Sequence, residues 1–130
     1  MENTACSQGV MRIGVNTMQE KLEKDVISLI FREYPNLRDQ INKARVVKRN
    51  FTGVCFFTDY HQNDIVFEKE MVISDVGATL NGHMEVGFVF FLYKSGSCLE
   101  CYTYGDSFPE KIESYEAFVY KKRPDGSYIK

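Results

Sequence analysis

Asn81-Gly82 separates two apolar runs, Met71 to Leu80 and Met84 to Tyr93. Both turn residues tolerate the positive φ of a type I′ turn, so this dipeptide predicts a tight antiparallel hairpin. Met84 to Tyr93 is apolar at successive positions, which places it in the middle of a sheet rather than at its edge. Lys94-Ser95-Gly96-Ser97 supplies a second tight turn into a strand from Cys98 to Tyr104.

Other strands are expected on either side. Arg45 to Phe51 and Gly53 to Tyr60 are rich in Val and Phe, and form one strand bulged at the glycine or two strands joined by a turn. Ile65 to Glu68 reads as a short edge strand and Tyr115 to Lys121 as the last one, before a terminal turn at Arg123-Pro124-Asp125-Gly126.

Helical signals are confined to the first third of the chain. Thr17 and Glu20 have the spacing of a capping box, and Met18, Leu22, Val26, Leu29 and Ile30 follow as one apolar stripe. Lys21, Glu23, Lys24 and Asp25 are expected to face water. Tyr34-Pro35 should end the helix, with a second short helix from Leu37 to Ile41. Residues 1–15 show no periodicity and read as a loose arm, with one extended piece at Val10 to Ile13. Helices at one end of the chain and hairpin-length links after them predict an α+β domain over residues 1–130. Its helical part spans 17–42, packed on one face of a mostly antiparallel sheet of five to six strands over 44–121.

Composition narrows the function classes. At 130 residues the chain can bury a core without staples, and ten Phe and eight Tyr favour a sheet-based one. No apolar run is long enough to span a bilayer. The N-terminus lacks the basic head and hydrophobic run of a secretory signal. The four cysteines therefore read as reduced thiols and the cytoplasm as the location. The formal net charge of -2 conceals an asymmetry: residues 59–116 carry eleven acids against three bases.

Few motifs carry chemistry. Cys98-Leu99-Glu100-Cys101 is a C-x-x-C, but in a strand its cysteines point to opposite faces, and no second ligand pair exists for zinc. No cofactor is expected. His61 and His83, with Lys48, Lys69 or Lys94, could in principle cleave RNA by acid–base catalysis, yet both histidines lie beside turns. Net acidity argues against nucleic acid as a partner. Lys48-Arg49 and Lys121-Lys122-Arg123 read as edge protection for strands. The sharper feature is acidic: Asp59, Asp64, Glu68, Glu70 and Asp75 fall within seventeen residues holding one lysine. Such a field speeds encounter with a basic protein and disfavours wrong partners.

Three segments resemble a group of small uncharacterised bacterial proteins: Val47 to Thr58, Gly87 to Phe91, and Leu99 to Pro109. That group carries FTGVGFFT-like and LEGYTYGExWP-like sequences, and the similarity covers residues 44–109. The present chain departs from it at Cys55 and Cys101, where glycine is usual, and at Phe108, where tryptophan is usual. The two cysteines accordingly read as small-residue replacements. More loosely, the chain is similar in type to immunity proteins of bacterial toxin systems, including contact-dependent inhibition. This resemblance implies an antitoxin with no catalytic group and transfers no residue roles; the acidic block itself marks Asp59, Asp64, Glu68, Glu70 and Asp75 as the expected contacts to a basic toxin domain. A small hydrolase or nuclease using His61/His83, and a small-ligand-binding domain, are the alternatives.

Overall fold

A computed structural model describes residues 13–52, 54–105, 108–122, 124–125 and 128–129. Helix α1 spans Ile13–Ile30 and α2 spans Pro35–Lys43. Six strands follow: β1 Val46–Phe51, β2 Phe56–Tyr60, β3 Met71–Leu80, β4 Met84–Tyr93, β5 Gly96–Thr103 and β6 Tyr115–Val119. They form one antiparallel sheet in the order β1-β2-β5-β4-β3-β6. A two-stranded ribbon, β7 Lys121–Lys122 and β8 Tyr128–Ile129, follows the sheet, with a turn at Pro124 and Asp125 between its strands. The α+β architecture, with N-terminal helices packed on an antiparallel sheet, is the one the sequence predicts. No described helix is long and apolar enough to cross a membrane.

The hairpin between β3 and β4 forms at Asn81-Gly82, with φ of 53° and 79°. Both values lie in the left-handed region that Asn and Gly tolerate. Asn81 does more than turn the chain. Its Oδ1 accepts from the backbone N–H groups of Glu113 (2.7 Å) and Ser114 (3.2 Å), and its Nδ2 donates to the Lys111 carbonyl (3.0 Å). The turn thereby fixes the approach to β6.

Leu22, Val26, Ile27 and Ile30 of α1 bury against alternate residues of the sheet, among them Val76, Ala78, Phe88, Phe90 and Leu99. Phe31 closes the helix end and meets the Phe90 ring edge-on at 5.1 Å. Arg32 pairs with Asp75 (2.9 Å) and the Tyr115 hydroxyl donates to Asp25, so α1 is tied to both β3 and β6.

Glu23 departs from the expected solvent face: it is 3% exposed. Its carboxylate takes two bonds from the Arg49 guanidinium (2.7 and 2.8 Å), one from the Thr58 hydroxyl (2.6 Å) and one from the Gln19 amide (2.9 Å). Burying a carboxylate is costly unless such partners meet it. Arg49 is thus spent on the helix, not on guarding the edge of β1. Burial, and then the nearby Glu23 charge, hold the Tyr60 phenol well above its ordinary pKa.

Two other expectations change, and one open alternative is decided. Helix α1 begins at Ile13, so Thr17 and Glu20 lie within it instead of capping it. The part of the expected arm over residues 1–12 lies outside the described residues, as do Arg123 and Gly126 of the terminal turn. The two runs around residue 53 are separate strands, Phe51 opposite Phe56, not one bulged strand. Ile65 to Glu68 forms no strand. Gln62–Asp64 is a short 3₁₀ turn, Ile65 is buried, and the Gln40 side chain bonds both the N–H and the carbonyl of Val66. A side chain of α2 takes the place of a strand partner.

The cysteine reading is also corrected. Cys55 and Cys101 are joined as a disulfide, both 3% exposed. The register pairing Phe57 with Glu100 sets Cys55 diagonally from Cys101, at a Cα separation of 5.5 Å that suits a disulfide. Because disulfides persist where the surroundings oxidise thiols, the cysteine content no longer argues for a reducing compartment. Cys98 carries a free thiol.

Replacing Glu23 by Gln leaves the part-buried Arg49 without its counter-charge and should cost about 3 kcal/mol in urea unfolding. The double change Glu23→Leu with Arg49→Met should recover most of that loss. A single-variant cost below about 0.5 kcal/mol, the size of an ordinary surface substitution, would show that this network does not seat the helix.

Candidate functional site

Cross-strand register decides which side chains share the second face of the sheet. Lys48 lies opposite Asp59, Phe57 opposite Glu100, Glu100 opposite Val89, and Cys98 opposite Phe91. Farther along, Gly87 lies opposite Tyr102 and Gly77, and Thr79 opposite Glu85 and Glu116. These positions alternate with the buried core residues, so all point away from the helices. Most are half-buried, and Val72 and Tyr93 are exposed. Among the described strand side chains of this open face, four carboxylates (Asp59, Glu85, Glu100 and Glu116) stand against one ammonium, Lys48.

At one end of the face the chain thins to admit aromatic rings. Gly77 and Gly87 face each other across β3 and β4. A Cβ built on Gly87 would lie 2.3 Å from the Tyr102 ring, and one on Gly77 would lie 2.8 Å from that of Tyr120. The glycines are a floor on which the two tyrosines rest. Tyr120 donates to Glu85 (2.7 Å), its hydroxyl lies 3.1 Å from that of Tyr104, and Tyr104 packs edge-on to Tyr102. Burial, followed by the bond to Tyr104, pushes the Tyr102 phenol up to about 12.

At the other end lies a groove of about 730 Å³, bounded by the Asp59-to-Asn63 segment, Phe91, Tyr93 and the start of β5. Asp59 and Cys98 stand side by side on its floor, and burial, then the hydrogen bond to Asp59, push the Cys98 thiol up to about 12. The thiol therefore remains protonated at neutral pH and is a poor nucleophile. His61 borders the groove, and its Nδ1 is buried without a hydrogen-bond partner. The Phe91 and Tyr93 rings lie 5.9 Å apart.

The five acidic residues singled out from the sequence are dispersed. Asp59 belongs to the open face. Asp64 is held by Arg45 through its guanidinium (2.8 and 2.9 Å) and backbone N–H (2.8 Å), which keeps its carboxyl far below the usual range. Glu70 accepts the Lys94 backbone N–H (2.9 Å) beside the β4–β5 turn, and Glu68 is exposed. Asp75 sits at a bulge in β3 and turns toward Arg32. Glu85, Glu100 and Glu116 were missed because they are far apart in sequence. Their alternation with Val86, Leu99 and Ala117 is the signal that places them on one face.

The histidines are not brought together. Tyr60, next to His61, shares a row with Ser97 and Leu92, whereas His83 precedes Met84 at the far end of β4. At ~3.4 Å per residue the two ends are about 27 Å apart. His83 is exposed and its Nδ1 lies 3.0 Å from the Asn81 carbonyl. The C-x-x-C splits as expected, Cys101 buried and Cys98 on the open face. Among the described residues, no cluster of His, Cys, Asp or Glu could hold a metal ion. Comparison with protein-family models, with curated proteins and with solved structures gives no match to this chain.

With Cys6 changed to Ser, alkylation of Cys98 by iodoacetamide at pH 8 should run at least 100-fold slower than that of an unperturbed thiol, as its lowered thiolate fraction requires. Unfolding in urea should restore the ordinary rate. A native rate within tenfold of the unfolded one would mean that the groove floor is neither dry nor closed by Asp59.

Proposed function

We propose that this protein is an immunity protein, an antitoxin that binds and neutralises a basic toxin domain on its open sheet face. One observation carries the reading: the face opposite the helices combines carboxylates with half-buried aromatic rings. Such a surface attracts a basic partner over long range and offers aromatic anchors once contact is made. Four of its acids lie on four different strands, so the field covers the face broadly. The looser resemblance, by type, to immunity proteins of bacterial toxin systems is in keeping with this reading. Action in the cytoplasm, where a translocated nuclease would find its target, is part of the proposal, and it requires that the fold hold there without the Cys55–Cys101 bond.

Binding requires no reactive group, which suits a face whose only described free thiol is held protonated. The hydrolase alternative would have to rest on a single histidine, since His61 and His83 lie at opposite ends of β4.

The test is growth rescue. The C-terminal segment encoded by the gene immediately upstream is expressed alone and together with this protein. The segment should stop growth, and co-expression should restore it. Asp59→Lys combined with Glu100→Lys, with folding verified by circular dichroism, should abolish rescue and weaken binding at least tenfold. Raising salt from 0.1 to 1 M should likewise weaken the complex at least tenfold, because the Debye length falls from about 10 to about 3 Å. A segment that is harmless, or that kills regardless of this protein, refutes the pairing. Rescue lost through Glu68→Lys and Glu70→Lys, but kept in the Asp59/Glu100 variant, would move the interface off the open face.

A further inference from the structure

The groove at the β2–β5 end of the open face has a chemistry narrower than the face around it. Asp59 supplies a carboxylate on its floor, and no lysine or arginine among the described residues lines it. Phe91 and Tyr93 form an aromatic wall, with Tyr93 exposed at the rim. His61 borders the groove as well, with its Nδ1 closed off from solvent inside the protein.

These groups call for a flat, cationic ligand rich in donors. A guanidinium has five N–H donors in one plane, bonds carboxylates and stacks on aromatic rings, whereas an ammonium is a compact, strongly hydrated charge. We propose that this groove is the seat for one arginine side chain of the partner, held by Asp59 and flanked by Phe91 and Tyr93. The inference deepens the docking reading and rests on it for the identity of the occupant. It converts a diffuse acidic face into one with a defined anchor, the kind of desolvated arginine contact in which binding energy concentrates. Asp59 then accepts from the Cys98 thiol on β5 and from the guanidinium, with Lys48 as its register partner on β1.

The chemistry can be tested without the partner. The full ¹⁵N-labelled chain is titrated with acetyl-Gly-Arg-Gly-amide, and separately with its citrulline and lysine counterparts, while amide shifts are followed by NMR. Arginine peptide should move signals of residues 59–63 and 93–98. The citrulline peptide, which keeps the shape but loses the charge, should bind at least tenfold more weakly, and the lysine peptide at least threefold more weakly. Asp59→Asn should reduce arginine-peptide affinity at least tenfold. Should that variant fail to fold, Tyr93→Leu at the exposed rim should reduce it at least threefold. Equal binding of the arginine and citrulline peptides, shifts centred elsewhere on the sheet, or unchanged affinity in these variants would overturn the assignment. Arginine binding in the groove without growth rescue removes the toxin reading alone. Rescue without arginine binding removes the anchor alone.

Discussion

A carboxylate buried under a helix imposes conditions on everything it touches. Glu23 lies among apolar side chains of α1, and its charge is tolerable only because Arg49, Thr58 and Gln19 all reach it. Arg49 and Thr58 are register partners on β1 and β2 and point to the same face. Slipping that hairpin by one residue would turn both away and leave a buried charge unanswered. Rotating α1 by one position would do the same from the other side. The network therefore selects helix orientation and strand register together, which an apolar stripe alone leaves loosely determined. Arg32 with Asp75 and Tyr115 with Asp25 then secure the helix toward the other edge.

Once both helices are committed to one face, the other must live with water. Its residues answer that condition in two ways. Carboxylates are distributed across four strands, while Tyr102 and Tyr120 lie over Gly87 and Gly77, the Tyr120 hydroxyl reaching Glu85 and Tyr104. An antiparallel sheet supports such a division because alternate residues separate core from surface along every strand. The same alternation sends Leu99 inward and Glu100 outward from adjacent positions, so core packing and surface charge are encoded in interleaved registers.

That interleaving explains what could be read from the residues and what could not. The β3–β4 hairpin was legible because Asn81-Gly82 is a local signal with a local cause. The helix stripe, a short second helix around Leu37 to Ile41, and the central place of Met84 to Tyr93 were legible for similar reasons. Glu23 was not: its periodicity marks a solvent position, and only Arg49, twenty-six residues away, reverses that. Ile65 to Glu68 had the composition of a strand, but Gln40 from α2 satisfies its backbone instead. Nor was the disulfide legible, since a distance between two strands is not contained in cysteine spacing. The acidic block misled in the same manner. Contiguity along the chain put Asp59 and Asp75 together, while the fold sends one to the open face and the other toward α1.

Cys98 and Glu85, two ionisable groups of the open face, are each held by a partner. Cys98 is a donor to Asp59, not a thiolate, because burial and the adjacent carboxylate both disfavour its ionised form. Glu85 accepts from Tyr120, and the two histidines have the length of β4 between them. A general acid–base pair would need titrating groups in reach of one another. The face carries a field, spread by strand alternation over four strands, and one groove where that field meets an aromatic wall. On the proposed reading, field and groove would act at different ranges: the first on how fast a basic partner arrives, the second on how long one of its side chains stays.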